Sequence, residues 1–217
     1  MRLAGGGVEM ELNRKINKAN THRIAVSSYS HKNRSMQTQE SLHEVNICTA
    51  LEFNKHIKRY ITQPMTFMNT AAEPGWRQYT PDLLLEYEDG MLEFGEIKLF
   101  SVSQKESFQS KFERHKRIVK ERTGKNLVIF TEENLPDQQL IQFKQLKPFL
   151  TIQLAPEINS QIVDLLKNKQ LSVREVESFV LARGEHSQYV MALIAHNFIK
   201  TVDLTIVTRD SLVELSA

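Results

Sequence analysis

Two acids and a lysine stand at a spacing that suits phosphodiester chemistry. Asp82 follows Pro81, and after thirteen intervening residues come Glu96, Ile97 and Lys98. Between them, Leu83-Leu84-Leu85 reads as a strand, Glu88-Asp89-Gly90 as a turn, and the stretch from Met91 to Phe100 as the returning strand. A three-residue hairpin loop with Gly at its left-handed position pairs Tyr87 with Met91, so Asp82 faces Glu96. Cross-strand partners share a face with Cβ atoms about 5 Å apart, and Lys98, two residues on from Glu96, shares it too. A two-residue loop would instead put Asp82 on the opposite face. Facing carboxylates repel, and a divalent cation reverses the sign of that interaction. Mg²⁺, with Mn²⁺ as a substitute, takes hard oxygen ligands and keeps several waters, so two acids and a nearby third suit it. Such a cation activates water and stabilises charge on a phosphate, while Lys98 orients the attacking water or holds a phosphate oxygen. The expected site is therefore Glu96, Asp82, Lys98 and one further acid.

The third acid is expected from a helix over residues 38–54, where Leu42, Val45 and Thr49 recur at helical spacing. Glu44 is the choice, with Glu40, one turn earlier on the same face, as the alternative. Glu44 also follows Ser41 at capping-box spacing, a purely structural reason for an acid there.

The remaining elements must carry this hairpin. Residues 1–37 are polar and aperiodic and read as a basic arm, with a short helix near residues 10–18. A strand is expected over 60–67 and a loop over 69–78. A long basic helix over 101–122 has Phe108, Phe112 and Val119 as apolar anchors and Gly124 as its C′ residue. A strand over 126–131 and a helix over 136–147 follow. The order helix, three strands, helix, strand, helix predicts an α/β (α+β) domain over 38–150, a mixed sheet flanked by helices. Beyond Pro148–Pro156 come three helical segments, 158–169, 173–183 and 187–197, and a strand over 198–207, a winged-helix-like layout for 151–217.

Charge is unevenly spread. Residues 41–100 are net −4, while 1–40 are net +4 and 101–125 net +5, so an acidic middle sits between basic stretches. That is the layout expected when carboxylates hold cations and flanking Lys and Arg hold phosphates; solvated helix faces give the same pattern. The candidate DNA contacts are Lys32, Arg34, Arg77, Lys105, Lys111, Arg114 and Arg117, with Trp76 beside Arg77 as a stacking partner or a buried ring. Residues 151–217 carry six Lys/Arg and eight Asp/Glu, net −2. A winged helix that gripped phosphates should be basic, so this part is expected to bind protein. The single cysteine, Cys48, excludes an intramolecular disulfide and suits a reducing cytoplasm. The seven histidines lack zinc spacing, no signal peptide is evident, and no apolar run approaches the roughly 18 residues of a membrane span.

Pro81-Asp82…Glu96-Ile97-Lys98 matches the PD-(D/E)xK signature of restriction-endonuclease-like nucleases. Within that group the chain resembles the TnsA endonuclease subunits of heteromeric cut-and-paste transposases. The likeness runs through Tyr29-Ser30-His31-Lys32, Ser41-Leu42-His43-Glu44, Leu51-Glu52-Phe53, Gln63-Pro64, Tyr79-Thr80-Pro81-Asp82-Leu83-Leu84, Glu96-Ile97-Lys98 and Val128-Ile129-Phe130-Thr131. The resemblance implies that Glu44, Asp82 and Glu96 bind Mg²⁺ with help from the Ile97 carbonyl, that Lys98 serves the attacking water, and that Glu113 is a candidate extra acid. It implies hydrolysis of the 5′, non-transferred strands at the ends of a transposon, in double-stranded DNA. The partners it implies are a DDE transposase of the TnsB kind and an ATP-dependent regulator of the TnsC kind, the latter on the C-terminal part. The competing expectations are a restriction-like nuclease of repair or defence, and a non-catalytic DNA-binding adaptor on a nuclease-shaped body.

Overall fold

The structure, a computed structural model, describes residues 26–68, 77–203 and 206–216. The proposed short helix near residues 10–18, and Trp76, lie outside the described residues. The chain forms two compact units that divide between Asn134 and Leu135.

The described residues of the first unit start with a hairpin, β1 (Val26–Ser30) and β2 (Ser35–Gln39), where the sequence pattern suggests an aperiodic arm. Its inward residues are polar, so apolar periodicity has nothing to register there. Ser30, Gln37 and Gln39 are buried, and Glu52 accepts the main-chain N–H groups of His31 (2.9 Å) and Lys32 (3.2 Å) at the turn. Glu52 also accepts the Tyr60 hydroxyl at 2.6 Å, which ties the turn, the first helix and the next strand to one buried carboxylate. That helix is α1 (Leu42–Phe53), with Ser41 as its N-cap. Then come β3 (Ile57–Thr62), β4 (Phe67–Met68), β5 (Gln78–Tyr79), β6 (Leu83–Tyr87), β7 (Leu92–Ile97), the short α2 (Phe100–Ser103), α3 (Glu106–Thr123) and β8 (Asn126–Phe130).

β3, β6, β7 and β8 form a four-stranded mixed sheet in that order, antiparallel except for the β7–β8 pair. A parallel pair needs a crossover, and α2 and α3 provide it. Alternation along β6 then assigns the two faces. Leu83 and Leu85 pack with Ile47, Cys48 and Leu51 of α1, while Leu84 packs with Phe112, Ile118 and Val119 of α3. The sheet is thus covered on both sides, which explains why β6 is an unbroken apolar run rather than an alternating one. Gly124, at φ +70°, ends α3 in the left-handed conformation expected of a C′ glycine.

The second unit begins earlier than residue 151. It contains α4 (Asp137–Leu146), a 3₁₀ turn (Lys147–Thr151), α5 (Pro156–Leu166), β9 (Leu171–Ser172), α6 (Val173–Leu181), α7 (Gln188–Ala195), β10 (Ile199–Thr201) and β11 (Leu212–Leu215). The helix over 136–147, expected in the first domain, belongs here. Gln145 exchanges two hydrogen bonds with the Val207 main chain (2.7 and 2.8 Å), and Gln142 donates to Thr201 at 2.9 Å. These are long-range polar contacts that helical periodicity does not reveal. The three strands form an antiparallel sheet in the order β10, β11, β9. No helix among the described residues is long and apolar enough to cross a membrane.

Candidate metal centre

The β6–β7 hairpin has the geometry its turn chemistry predicts. Tyr87 donates to Met91 O (2.9 Å), Gly90 N–H to Tyr87 O (3.0 Å), and Gly90 takes φ +83°. Leu83 pairs with Gly95, so the register continued by one residue sets Asp82 opposite Glu96. The Ile97 N–H donates to Asp82 Oδ2 at 2.7 Å, which fixes that carboxylate at the end of the ladder.

Lys98 completes the cluster. Its Nζ lies 2.9 Å from Glu96 Oε1, donates to the Ile97 carbonyl at 3.1 Å, and is 3.8 Å from Asp82 Oδ2. Burial and the facing Glu96 push the Asp82 carboxyl up to about 7, with Lys98 and the Ile97 N–H opposing the rise. Burial alone would lower the Lys98 ammonium; the Glu96 and Asp82 carboxylates outweigh it and hold the group above its ordinary value.

Glu44 stands at the start of α1, and its charge bears on both Asp82 and Lys98. Both of its oxygens are engaged locally. Ser41 donates its hydroxyl to Oε1 (2.9 Å), the Glu40 N–H donates to Oε2 (2.8 Å), and Ser41 Oγ in turn accepts the Glu44 N–H (3.1 Å). The capping role allowed by the Ser41 spacing is therefore present, and Glu40 supplies a main-chain donor. Among the described residues, no group of three or more His, Cys, Asp and Glu side chains is already gathered to hold a metal ion.

Two residues join the site that sequence reasoning missed. Tyr79 donates its hydroxyl to Glu96 Oε2 at 2.8 Å, and burial, with Glu96 beside it, raises its pKa far above the ordinary value, so it stays a donor. His115 of α3 stacks on the Tyr79 ring at 3.7 Å between centroids. Burial lowers the His115 pKa against the pull of Glu96, and Arg114, Lys111 and Lys98 lower it further. The helical anchors Phe112 and Val119 flank His115 at spacings of three and four, so the α3 stripe contained the signal. Glu113 instead faces solvent beside Lys116, at 3.5 Å. Neither family models nor curated protein sequences match this chain.

The candidate phosphate contacts divide. Lys111 and Arg114 lie near enough to His115, which stacks on Tyr79, to lower its pKa. Lys105, the N-cap residue of α3, and Arg117 on that helix are exposed, Arg117 at 4.0 Å from Glu121. Arg34 is exposed at the β1–β2 turn and Arg77 just before β5. Lys32 contradicts the phosphate-contact expectation: its Nζ donates to the Asn54 carbonyl (2.8 Å) and to the Ile57 carbonyl. Its ammonium is committed to the main chain, and burial lowers its pKa.

Proposed function

We propose that this protein is a Mg²⁺-dependent DNA endonuclease with a restriction-endonuclease-like first unit, acting on the 5′ strands at transposon ends in the manner of TnsA subunits. One observation carries the metal reading. The Lys98 ammonium sits among Glu96 Oε1, the Ile97 carbonyl and Asp82 Oδ2, the three oxygens expected to hold a cation. A positive charge already favours that point, and the donors are the hard oxygens that Mg²⁺ and Mn²⁺ take. Asp82, Glu96 and the Ile97 carbonyl would hold the ion, and Glu44 would join by leaving its cap. When bound, the ion supplies charge stabilisation for the phosphate and water acidic enough to attack at neutral pH. Lys98, displaced from between the carboxylates, remains within reach to orient that water. Lys111 and Arg114 are the basic groups best placed to hold the strand.

The test is a crystal structure with Mn²⁺, locating the ion by anomalous scattering, paired with cutting of transposon-end DNA in the presence of the partner transposase. An anomalous peak about 2.1 Å from Asp82 and Glu96 oxygens supports the reading. Cutting that survives Asp82→Ala sinks it and leaves the adaptor reading in its place.

The second unit has the element order helix, strand, helix, helix, strand, strand after α4, as a winged helix does. Its third helix, α7, is unsuited to reading DNA. It contains no Lys or Arg, and Tyr189, Val190, Ala192, Leu193, Ile194 and Ala195 are all buried. With the net charge of −2 over 151–217, this favours a protein partner, and the regulator ATPase of such transposases is the candidate. In the full chain, changing Lys167, Lys169, Arg174 and Lys200 together to Gln should leave DNA affinity within about twofold. Lys111→Ala with Arg114→Ala should weaken binding about tenfold at physiological salt and flatten its salt dependence. Equal losses from the two sets, measured by fluorescence anisotropy, would reject this division of labour.

A further inference from the structure

We infer that Tyr79 is a positioning residue for Glu96, holding Oε2 so that Oε1 alone is presented to the cation. The inference rests on the metal-centre reading above. Glu96 is only 8% exposed, and its two oxygens have separate assignments. Oε2 takes the Tyr79 hydroxyl at 2.8 Å, and Oε1 takes Lys98 at 2.9 Å. A glutamate on a strand has three rotatable side-chain bonds, so without the hydroxyl it would swing or present both oxygens to an ion.

Tyr79 is itself held on two sides. β5 pairs with β4, setting Tyr79 opposite Phe67, whose ring is stacked at 6.3 Å. On the other side the His115 ring lies at 3.7 Å and 18°. Phe67 packs in turn against Phe94 of β7 at 5.8 Å, two residues before Glu96. The stack runs from β4 through Tyr79 to α3, so the hydroxyl arrives at Glu96 with its ring already immobilised. Outer partners of this kind set the orientation of a ligand and typically change metal affinity 10- to 100-fold when removed.

Tyr79→Phe removes the hydroxyl and keeps the ring stack. Free Mn²⁺ would be followed by electron paramagnetic resonance as it is titrated into the full chain, with Asp82→Ala and Glu96→Gln as references. The expected result is a Kd for Mn²⁺ about tenfold higher in Tyr79→Phe. The combination with Glu96→Gln should be no worse than Glu96→Gln alone, because both act through one carboxylate. Tyr79→Phe binding Mn²⁺ as the parent does, while Asp82→Ala binds none, overturns the role of Tyr79 and leaves the metal centre standing. No Asp82-dependent Mn²⁺ binding in the parent protein overturns both. A lower melting temperature in Tyr79→Phe with an unchanged Kd also overturns the role, since it reduces Tyr79 to a packing residue.

Discussion

Asp82→Asn should cut no DNA yet melt higher than the parent protein when metal is absent. The first effect follows from losing one of the carboxylates that would hold the ion, and a loss of at least about a thousandfold in strand cleavage is expected. The second follows from electrostatics without metal. Burial and Glu96 raise the Asp82 carboxyl to about 7, well above its unfolded value. A carboxyl raised on folding contributes stability that is present below pH 4 and lost as the pH climbs through 7. At pH 8 the native fold therefore holds an unfavourable second carboxylate, which asparagine removes while keeping an oxygen for the Ile97 N–H. Calorimetry at pH 8 with chelator should show a melting temperature about 4 °C higher; the difference should shrink at pH 5 and vanish only below about pH 4. A variant that melts lower at pH 8 would show that Lys98 and Ile97 already compensate the pair.

Lys98→Met should do the reverse in the metal-free protein. Lys98 touches both carboxylates and the Ile97 carbonyl, so its removal leaves Glu96 and Asp82 facing each other without a cation. Breaking a fully buried pair costs about 3–5 kcal/mol. The Lys98 side chain is 35% exposed, so solvent screening brings the expected loss to about 1–2 kcal/mol, or about 3–6 °C in melting temperature at pH 8. Mn²⁺ should then restore the melting temperature and bind about tenfold more tightly than to the parent, because no ammonium has to be displaced. Cleavage should still fall by about a hundredfold or more, since no side chain remains to orient the water. Tighter metal binding combined with lost activity is the signature of Lys98 as both rival and helper of the ion. Weaker Mn²⁺ binding by isothermal titration would remove the idea of competition.

Both predictions rest on a hairpin whose register was legible from its turn. Glu88-Asp89-Gly90 and the strand-forming residues on either side act over a few bonds, and they alone set Asp82 opposite Glu96 with Lys98 on the same face. The helices α1 and α3 were legible as elements, and Gly124 marked the end of α3, but their starts were not: they were expected from residues 38 and 101, whereas α1 begins at Leu42 after β2 and α3 at Glu106 after the separate α2.

What sequence by itself determined, then, is the mixed α/β layout and the convergence of two acids and a lysine, because turns, caps and alternation act locally. Tertiary structure decided the rest. Tyr79 and His115 reach Glu96 through a ring stack joining β5 to α3, residues far apart in the chain. Lys32 turns to main-chain carbonyls supplied by the end of α1 and the start of β3, and α4 joins the second unit through Gln142 and Gln145. The β1–β2 hairpin holds together through buried polar groups around Glu52 that leave no apolar rhythm to read. Each of these depends on which distant polar group happens to face which, and hydrogen-bond partners, unlike turns and hydrophobic periods, have no fixed spacing along a chain.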